Sequence, residues 1–264
     1  MDLQLKNRKA LVTGSTAGIG FAIASLLAEE GAAVVVSGRL QDRVDSAVKK
    51  IRQAARNAEI GGVTADLGTK QGVEQLTNKV ETVDILVNNL GIYETTPFPE
   101  ITDENWLRFF EVNVLSGVRL SRFYLPQMLT RNWGRIVFIS SESGVNIPVE
   151  MIHYGVTKTA QIALARGLAE TTAGTGVTVN SVLPGPTRSE GVDQFVEGLA
   201  KTQKTDAATV EKEFFRSVRP SSLLKRFATP EEVAAMVVYV CSPRASATNG
   251  AALRVDGGVV RSIV

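Results

Sequence analysis

The feature that most constrains the fold is a regular alternation of short apolar runs and amphipathic segments along the whole chain. The apolar runs are rich in Val, Ile and Leu, and the segments between them have apolar residues at helical spacing. Strands that alternate with helices predict an α/β protein with a parallel sheet covered on both faces. The predicted strands are 9–13, 32–37, 62–65, 83–87, 134–139, 176–182 and 251–255.

The bulk composition argues against several classes of protein. Of 264 residues, 29 are basic and 27 acidic, and a net charge of +2 favours neither nucleic acid nor an anionic membrane as a partner. No apolar run approaches the roughly 18 residues that span a bilayer, and no signal-peptide core follows the charged N-terminus. We therefore expect a soluble, cytoplasmic protein. The single cysteine, Cys241, cannot form an internal disulfide and is predicted to be a buried thiol.

A glycine-rich turn follows the first predicted strand and leads directly into a helix. It reads Gly14-Ser15-Thr16-Ala17-Gly18-Ile19-Gly20. This layout presents backbone N–H groups and a helix N-terminus to a pyrophosphate, and the glycines let the chain approach the phosphates closely. The spacing differs from Gly-x-Gly-x-x-Gly, and a turn without a ligand would have the same layout. In this context dinucleotide binding is the favoured interpretation.

The end of the second predicted strand bears on the choice of cofactor. In a dinucleotide fold an acidic residue there binds the ribose 2′-hydroxyl and repels a 2′-phosphate. This chain has Ser37-Gly38-Arg39, in which the glycine leaves room and the arginine offers a fixed cation with several donors. The pattern favours NADP(H) over NAD(H). The alternative is that Arg39 only solvates a loop.

Tyr154 and Lys158 are the strongest candidates for chemistry. They are four residues apart in the predicted helix 151–172, so their side chains share one face, about one turn apart. A phenol has a pKa of about 10, and a nearby ammonium lowers that pKa because it favours the ionised form. The pair therefore predicts a tuned acid/base. A surface helix with one aromatic and one basic residue would show the same spacing.

Other candidates lie near the ends of predicted elements. Asn113 stands inside the predicted helix 103–131, where it either bonds to a neighbouring helix or interrupts this one and holds a water. Pro126 is expected to bend or end the same helix. Ser140 and Ser141 follow the fifth predicted strand, at the edge where parallel sheets bind ligands.

The segment 188–220 differs from the rest of the chain, because it is polar and charged with apolar residues at loose helical spacing. We predict two short helices that form a lid or rim over the substrate. With this segment included, residues 1–264 are predicted to form a single dinucleotide-binding domain. Phe195, Phe214 and Phe215 are candidates for an apolar cover.

These motifs resemble the short-chain dehydrogenase/reductase family over essentially the whole chain. The matching segments stand in the family's order: Thr13-Gly14-x-x-x-Gly18-Ile19-Gly20, Asp66-Leu67, Asn88-Asn89-Leu90-Gly91, Asn113, Ser141, Tyr154, Lys158, Pro184-Gly185, Thr187 and Val255-Asp256-Gly257-Gly258. Leu90 replaces the family's usual alanine. Ser141 rather than Ser140 matches, because it stands thirteen residues before Tyr154. The resemblance implies a single-domain, doubly wound Rossmann-type sheet of seven parallel strands with helices on both faces.

The resemblance implies a catalytic tetrad of Asn113, Ser141, Tyr154 and Lys158. Tyr154 would exchange a proton with the reacting oxygen, Ser141 would hold that oxygen, Lys158 would lower the pKa of the phenol and bind the nicotinamide ribose, and Asn113 would position a water. No metal site is predicted, and His153 is predicted to be a packing or rim residue. The implied cofactor contacts are Gly14, Ser15, Gly18, Ile19, Gly20, Arg39, Asp66, Leu67, Asn89, Gly91, Tyr154, Lys158, Pro184, Gly185 and Thr187.

The implied activity is hydride transfer between NADP(H) and a small carbonyl compound or secondary alcohol. One alternative is reduction of a 3-oxoacyl thioester carried by acyl carrier protein, for which an apolar cover would be suitable. Another is a regulator that binds a dinucleotide without catalysis. Because members of the family commonly form tetramers or dimers, the resemblance also implies a homo-oligomer.

Overall fold

The computed structural model describes residues 1–263, and the side chain of Phe195 lies outside this description. Seven strands of the described residues form one parallel sheet in the order β3-β2-β1-β4-β5-β6-β7, which confirms the predicted fold class. The strands are β1 (Lys9–Val12), β2 (Ala33–Gly38), β3 (Ile60–Thr64), β4 (Ile85–Asn88), β5 (Gly134–Ile139), β6 (Val177–Pro184) and β7 (Ala252–Val255).

The α-helices follow the predicted positions, with one exception described below. None of the helices in residues 1–263 is both long and apolar enough to cross a membrane. The helices are α1 (Gly18–Glu29), α2 (Gln41–Ala54), α3 (Lys70–Thr77), α4 (Asp103–Phe110), α5 (Ser116–Thr130), α6 (Ile152–Glu170), α7 (Glu190–Gln203), α8 (Ala207–Ser217) and α9 (Pro230–Cys241).

Helices cover both faces of the sheet. Along β1, Ala10 and Val12 belong to one apolar cluster and Leu11 to the other, because successive side chains of a strand point to opposite faces. Helices α1, α2 and α9 complete the first cluster, and α3, α5 and α6 complete the second. Cys241 is fully buried in the first cluster, as predicted for a structural thiol. Because both faces are packed, a ligand has access to the sheet at its carboxyl edge.

The strand order reverses between β1 and β4, and the loops after these strands are joined by hydrogen bonds. Thr13 Oγ1 accepts from the backbone N–H groups of Asn89 and Leu90, each at 2.9 Å. The Asn89 side chain donates to Thr13 O at 2.9 Å and to Gly14 O at 3.0 Å. In open α/β sheets such a reversal opens the crevice in which ligands bind.

The predicted helical segment 103–131 is confirmed with an interruption, because it consists of α4, a π turn at Glu111–Leu115, and α5. The interruption lies at Asn113, and Asn113 Nδ2 also donates to Thr157 of α6, so the structure contains both the interruption and the bond to a neighbouring helix that were predicted as alternatives. Thr102 begins α4, with its Oγ1 accepting from Asn105 N at 3.2 Å. Pro126 does not end α5, which continues to Thr130.

The segment 188–220 contains two helices, α7 and α8, as predicted. Its aromatic residues pack against one another. The rings of Phe214 and Phe215 each lie 5.1 Å from that of Phe227, and Phe215 is buried in a small cluster of its own. Phe215 is therefore a core residue between the two helices, whereas Phe214 is only partly buried and its predicted role over a substrate stays a prediction. The same prediction for Phe195 falls on a side chain outside the described structure.

Candidate active site

The four residues of the predicted tetrad meet at the carboxyl edge of the sheet although they come from different elements. Ser141 follows β5, Tyr154 and Lys158 lie on α6, and Asn113 lies in the π turn. Lys158 Nζ is 5.6 Å from the centroid of the Tyr154 ring, and Ser141 is near enough to the Tyr154 phenol to lower its pKa. Asn113 joins them through Thr157, whose Oγ1 accepts from Asn113 Nδ2 at 3.0 Å.

Burial is the largest influence on the pKa values of the acid/base pair. It raises the pKa of Tyr154, an effect that the nearby Ser141 side chain partly opposes. It also lowers the pKa of Lys158 to about 7. The pKa of Tyr154 thus moves opposite to the direction predicted from the spacing of the pair, because removing the phenolate from water outweighs the neighbouring groups. At neutral pH the phenol holds its proton and can donate it.

Lys158 is held by a buried amide. Its Nζ donates to Ile139 O at 2.9 Å and to Gln161 Oε1 at 3.1 Å, and Gln161 Nε2 donates to Asn113 O at 2.5 Å. The sequence analysis did not select Gln161. Its position three residues after Lys158, on the same face of α6, is a signal that could have identified it.

Asn113 is fixed by several hydrogen bonds. Its Oδ1 accepts from Ile92 N at 2.7 Å, and its Nδ2 donates to Ile92 O at 3.0 Å and to Thr157. The π turn changes the local backbone pairing, and the Asn113 carbonyl accepts from Gln161. The water predicted at Asn113 stays a prediction.

A cleft beside the tetrad follows the carboxyl ends of β1, β2 and β4. Five of the predicted cofactor contacts line it: Gly14, Arg39, Leu67, Asn89 and Gly91. Two glycines at this cleft have no space for a side chain. A Cβ on Gly38 would lie 2.6 Å from Thr16 Cγ2, and one on Gly20 would lie 2.4 Å from Asn89 Nδ2. The lining residues are Gly14, Thr16, Ser37, Gly38, Arg39, Ala65, Leu67, Asn89, Leu90 and Gly91.

Ser15, a predicted cofactor contact that stays a prediction, already bonds to the protein's own backbone. Its side chain is fully buried, donates to Val12 O at 2.7 Å and accepts from Ser37 N at 3.0 Å, and its own N–H donates to Ser37 O. These bonds join the ends of β1 and β2, so Ser15 serves the protein's own backbone. Its neighbour Thr16 lines the cleft instead.

The other predicted contacts border the same edge. Gly18 and Ile19 form the first turn of α1, which contains no acidic residue. Asp66 accepts from Gly68 N at 3.1 Å and so shapes the loop after β3. Pro184 is the last residue of β6 and pairs with Val255 of β7, and a Cβ on the next residue, Gly185, would lie 2.6 Å from Asp256 O. Thr187 donates to Gly185 O at 2.9 Å.

The residues of the cleft fit a dinucleotide. The first turn of α1 offers backbone N–H groups to phosphate, and Gly38 lines the cleft at the end of β2, where its missing Cβ makes space for the Thr16 methyl group. Arg39 is exposed beside it, and no carboxylate of residues 1–263 forms an ion pair with it.

A buried ion pair lies on the other side of Ser141. Glu142 Oε2 accepts from Ser141 Oγ at 3.0 Å and from Ser143 Oγ, and Glu142 Oε1 accepts from Arg219 Nε at 3.2 Å. Arg219 also donates to Glu150 at 3.1 Å. The sequence analysis did not select Arg219, because it follows Glu142 by 77 residues and no periodicity connects them.

His153 is fully buried and packs among aromatic rings. Its ring centroid lies 4.0 Å from that of Phe109 and 6.0 Å from that of Trp106. Burial lowers the pKa of the imidazole. These contacts agree with the predicted packing role.

Comparison with known proteins decides the family. The sequence model described as short chain dehydrogenase matches residues 8–200. The chain belongs to the short-chain dehydrogenase family. Among similar short-chain dehydrogenases and reductases, the oxidoreductase YvaG of Bacillus subtilis is 47% identical over the full length of both chains. The 3-oxoacyl-[acyl-carrier-protein] reductase FabG of Aquifex aeolicus is 33% identical, with 98% of this chain and 100% of that protein covered.

A solved structure in this short-chain dehydrogenase family has the same architecture. It is the L-sorbose reductase of Gluconobacter frateurii complexed with NADPH and L-sorbose, with a TM-score of 0.94, 31% identity and full coverage of both chains. This short-chain dehydrogenase is therefore an oxidoreductase with a fold that binds a nicotinamide dinucleotide.

Proposed function

We propose that this short-chain dehydrogenase transfers a hydride between NADP(H) and a small carbonyl compound or secondary alcohol, with Tyr154 as the general acid/base. The observation that carries the proposal is the meeting of Tyr154, Ser141 and Lys158 beside the glycine-lined cleft. The bound nicotinamide would supply or accept the hydride. In the reductive direction Tyr154 gives its phenolic proton to the carbonyl oxygen.

Each residue of the tetrad has a role that its contacts support. Ser141, whose side chain lowers the pKa of the phenol, holds the reacting oxygen within reach of Tyr154. Lys158 is directed by Gln161 and Ile139 toward the same place, where it faces the ribose and the phenolate that forms. Asn113 holds the loop after β4 through Ile92 and orders the water predicted there.

The preference for NADP(H) rests on the end of β2. Gly38 lines the cleft there, and Arg39 provides an exposed guanidinium at the position where an acid would favour NAD(H). The reductase of similar structure was solved with NADPH.

Tyr154→Phe tests the proposal directly. We expect turnover to fall about 10²–10⁴-fold, because general acid catalysis contributes that much, while the affinity for NADPH stays within a factor of about two. Turnover is followed by NADPH absorbance on a panel of aldehydes, ketones, sugars and 3-oxoacyl thioesters. Tyr239→Phe, at an exposed position on α9, is the matched control. Unchanged turnover in Tyr154→Phe contradicts the proposal.

The same panel separates the two alternatives. The FabG relative makes a 3-oxoacyl thioester of acyl carrier protein a second candidate substrate, and a kcat/KM for this thioester well above that for free ketones would favour it. Tight NADPH binding without turnover of any compound would favour a regulator.

We further propose that residues 1–264 act as one domain in a cytoplasmic homo-oligomer. Exposed apolar side chains support the assembly: Leu107 on α4, Leu115 in the π turn and Phe123 on α5, together with Leu223. Sedimentation equilibrium measures its size, and cell fractionation tests the location. A monomer at all concentrations contradicts the oligomer.

A further inference from the structure

The ion pair between Glu142 and Arg219 connects the segment 188–220 to the serine beside Tyr154. The side chains of Arg219 and Glu142 are only 11% and 5% exposed. Arg219 stands two residues after the end of α8, and its backbone N–H donates to Phe214 O at 3.0 Å. The guanidinium therefore extends from the end of α8 to Glu142, the residue next to Ser141.

Glu142 determines how the Ser141 hydroxyl is used. Ser141 has one hydroxyl proton, and Glu142 accepts it at 3.0 Å, while the Ser141 oxygen accepts from Ser143 N at 3.1 Å. A carboxylate without a cation would hold this proton more firmly and repel negative charge nearby. Arg219 neutralises the negative charge of Glu142, so it affects how readily Ser141 can donate its proton to the reacting oxygen.

We propose that Arg219 is a positioning residue that, through Glu142, orients the hydroxyl of Ser141 and with it Tyr154, and so connects α7 and α8 to the reacting groups. The inference rests on the proposed role of Tyr154. It adds Arg219, a residue of the segment 188–220, to the groups that control proton transfer at Tyr154.

The charges around Tyr154 support this connection. Glu142 raises the pKa of the phenol and Arg219 lowers it, and Tyr93, whose ring lies 6.4 Å from that of Tyr154, also raises it. Lys158 approaches from the next turn of α6. Glu150 faces Arg219 from the loop before α6 and leaves the cluster of Glu142, Glu150 and Arg219 with a net negative charge.

The two partners of the ion pair make opposite predictions. Glu142→Gln leaves Arg219 in place, so the pH at which Tyr154 ionises should fall by on the order of one unit. Arg219→Met leaves the carboxylate, so that pH should rise by a similar amount. The double variant Glu142→Gln/Arg219→Met should return to within a few tenths of a unit of wild type. A purely structural role predicts loss of activity in both single variants without opposite shifts.

Two measurements record these shifts. The first is the acidic limb of kcat/KM for alcohol oxidation. The second is the Cζ resonance of ¹³C-labelled tyrosine, assigned by its loss in Tyr154→Phe, which reports ionisation of the phenol in the NADP⁺ complex without any turnover. If the proposed function is wrong, the protein is inactive on the substrate panel. If this inference is wrong, Tyr154 ionises at the same pH in the charge variants as in wild type.

Control variants distinguish the effect of a changed charge from a loss of folding. Glu213 and Arg216 form an exposed ion pair one turn earlier on α8, and Glu213→Gln and Arg216→Met should leave the titration unchanged. Since Arg219→Met leaves a buried carboxylate without its cation, Arg219→Lys is the second variant. It keeps the positive charge and should restore most of the wild-type titration. Shifts of the same sign in Glu142→Gln and Arg219→Met, or none in either, overturn the proposal.

Discussion

The cofactor cleft and the segment 188–220 are built in different ways. At the cleft, backbone atoms approach so closely that added side-chain atoms are excluded: a Cβ on Gly20 would lie 2.5 Å from Gly14 O. In the segment 188–220, long side chains make the connections, with Arg188 paired to Asp193 at 2.9 Å and Arg219 to Glu142 at 3.2 Å. A Cβ on Gly198 of α7 would meet no described atom within 4 Å. The cleft therefore depends on exact residue size, whereas the segment depends on charge.

The largest expected effect is that of Gly20→Ala in the cleft. The new methyl group would overlap Asn89 Nδ2 and Gly14 O, and overpacking of this kind costs about 3 kcal/mol. We expect a matching loss of the free energy of unfolding in urea and much weaker NADPH binding. Wild-type stability in this variant would show that the glycine turn can move freely.

Lys158 makes the stability of the cleft region depend on pH. Its pKa falls from 10.5 to about 7 on folding, so between these values the unfolded chain binds more protons and stability rises with pH. Between pH 6.5 and 8.5 the free energy of unfolding of wild type should rise by about 2 kcal/mol more than that of Lys158→Met. Urea titrations at both pH values measure this gain, and the exposed Lys70→Met is the control. An equal pH dependence in wild type and Lys158→Met would exclude a depressed pKa.

Arg39→Ala tests the cation at the end of β2. Loss of a charged contact to the 2′-phosphate should cost about 1.5 kcal/mol, or roughly tenfold in the Kd of NADPH, with the Kd of NADH unchanged. Isothermal titration with both cofactors measures the ratio. Arg56→Ala, at an exposed position just beyond α2, should leave that ratio as it is. Equal weakening of both cofactors by Arg39→Ala would contradict the assignment.

The smallest expected effect is that of Gly198→Ala in α7. Because a methyl group would meet no described atom within 4 Å, helix propensity should dominate and stabilise the protein by up to about 1 kcal/mol. Thermal and urea unfolding measure the change. Destabilisation by both Gly20→Ala and Gly198→Ala would remove the contrast between the two regions.

The same contrast explains how much of the molecule the sequence predicts. The sheet and most helices follow from local periodicity, and the cleft follows from glycines whose spacing reflects backbone geometry. Arg219 and Glu142 are 77 residues apart, and their contact depends on how α8 packs, which no local pattern contains. The burial that raises the pKa of Tyr154 likewise depends on the assembled site.

Residues such as Ser15 and Phe215 show a second limit. The residue type suggested a ligand contact in each case, but the protein's own backbone or core uses the side chain. Sequence spacing identifies the element on which a residue stands. The direction of its side chain is decided by packing, as Thr16 shows by lining the cleft beside the buried Ser15.

The π turn at Glu111–Leu115 has a consequence for insertions and deletions. A π turn holds one residue more than the α-helical turn it replaces, so a deletion of one residue here would let α4 and α5 join as one regular α-helix. Leu120 and Tyr124, both fully buried, would keep their places in the core. The extra residue therefore serves the placement of Asn113, which holds Ile92 and Thr157, rather than the packing of α5.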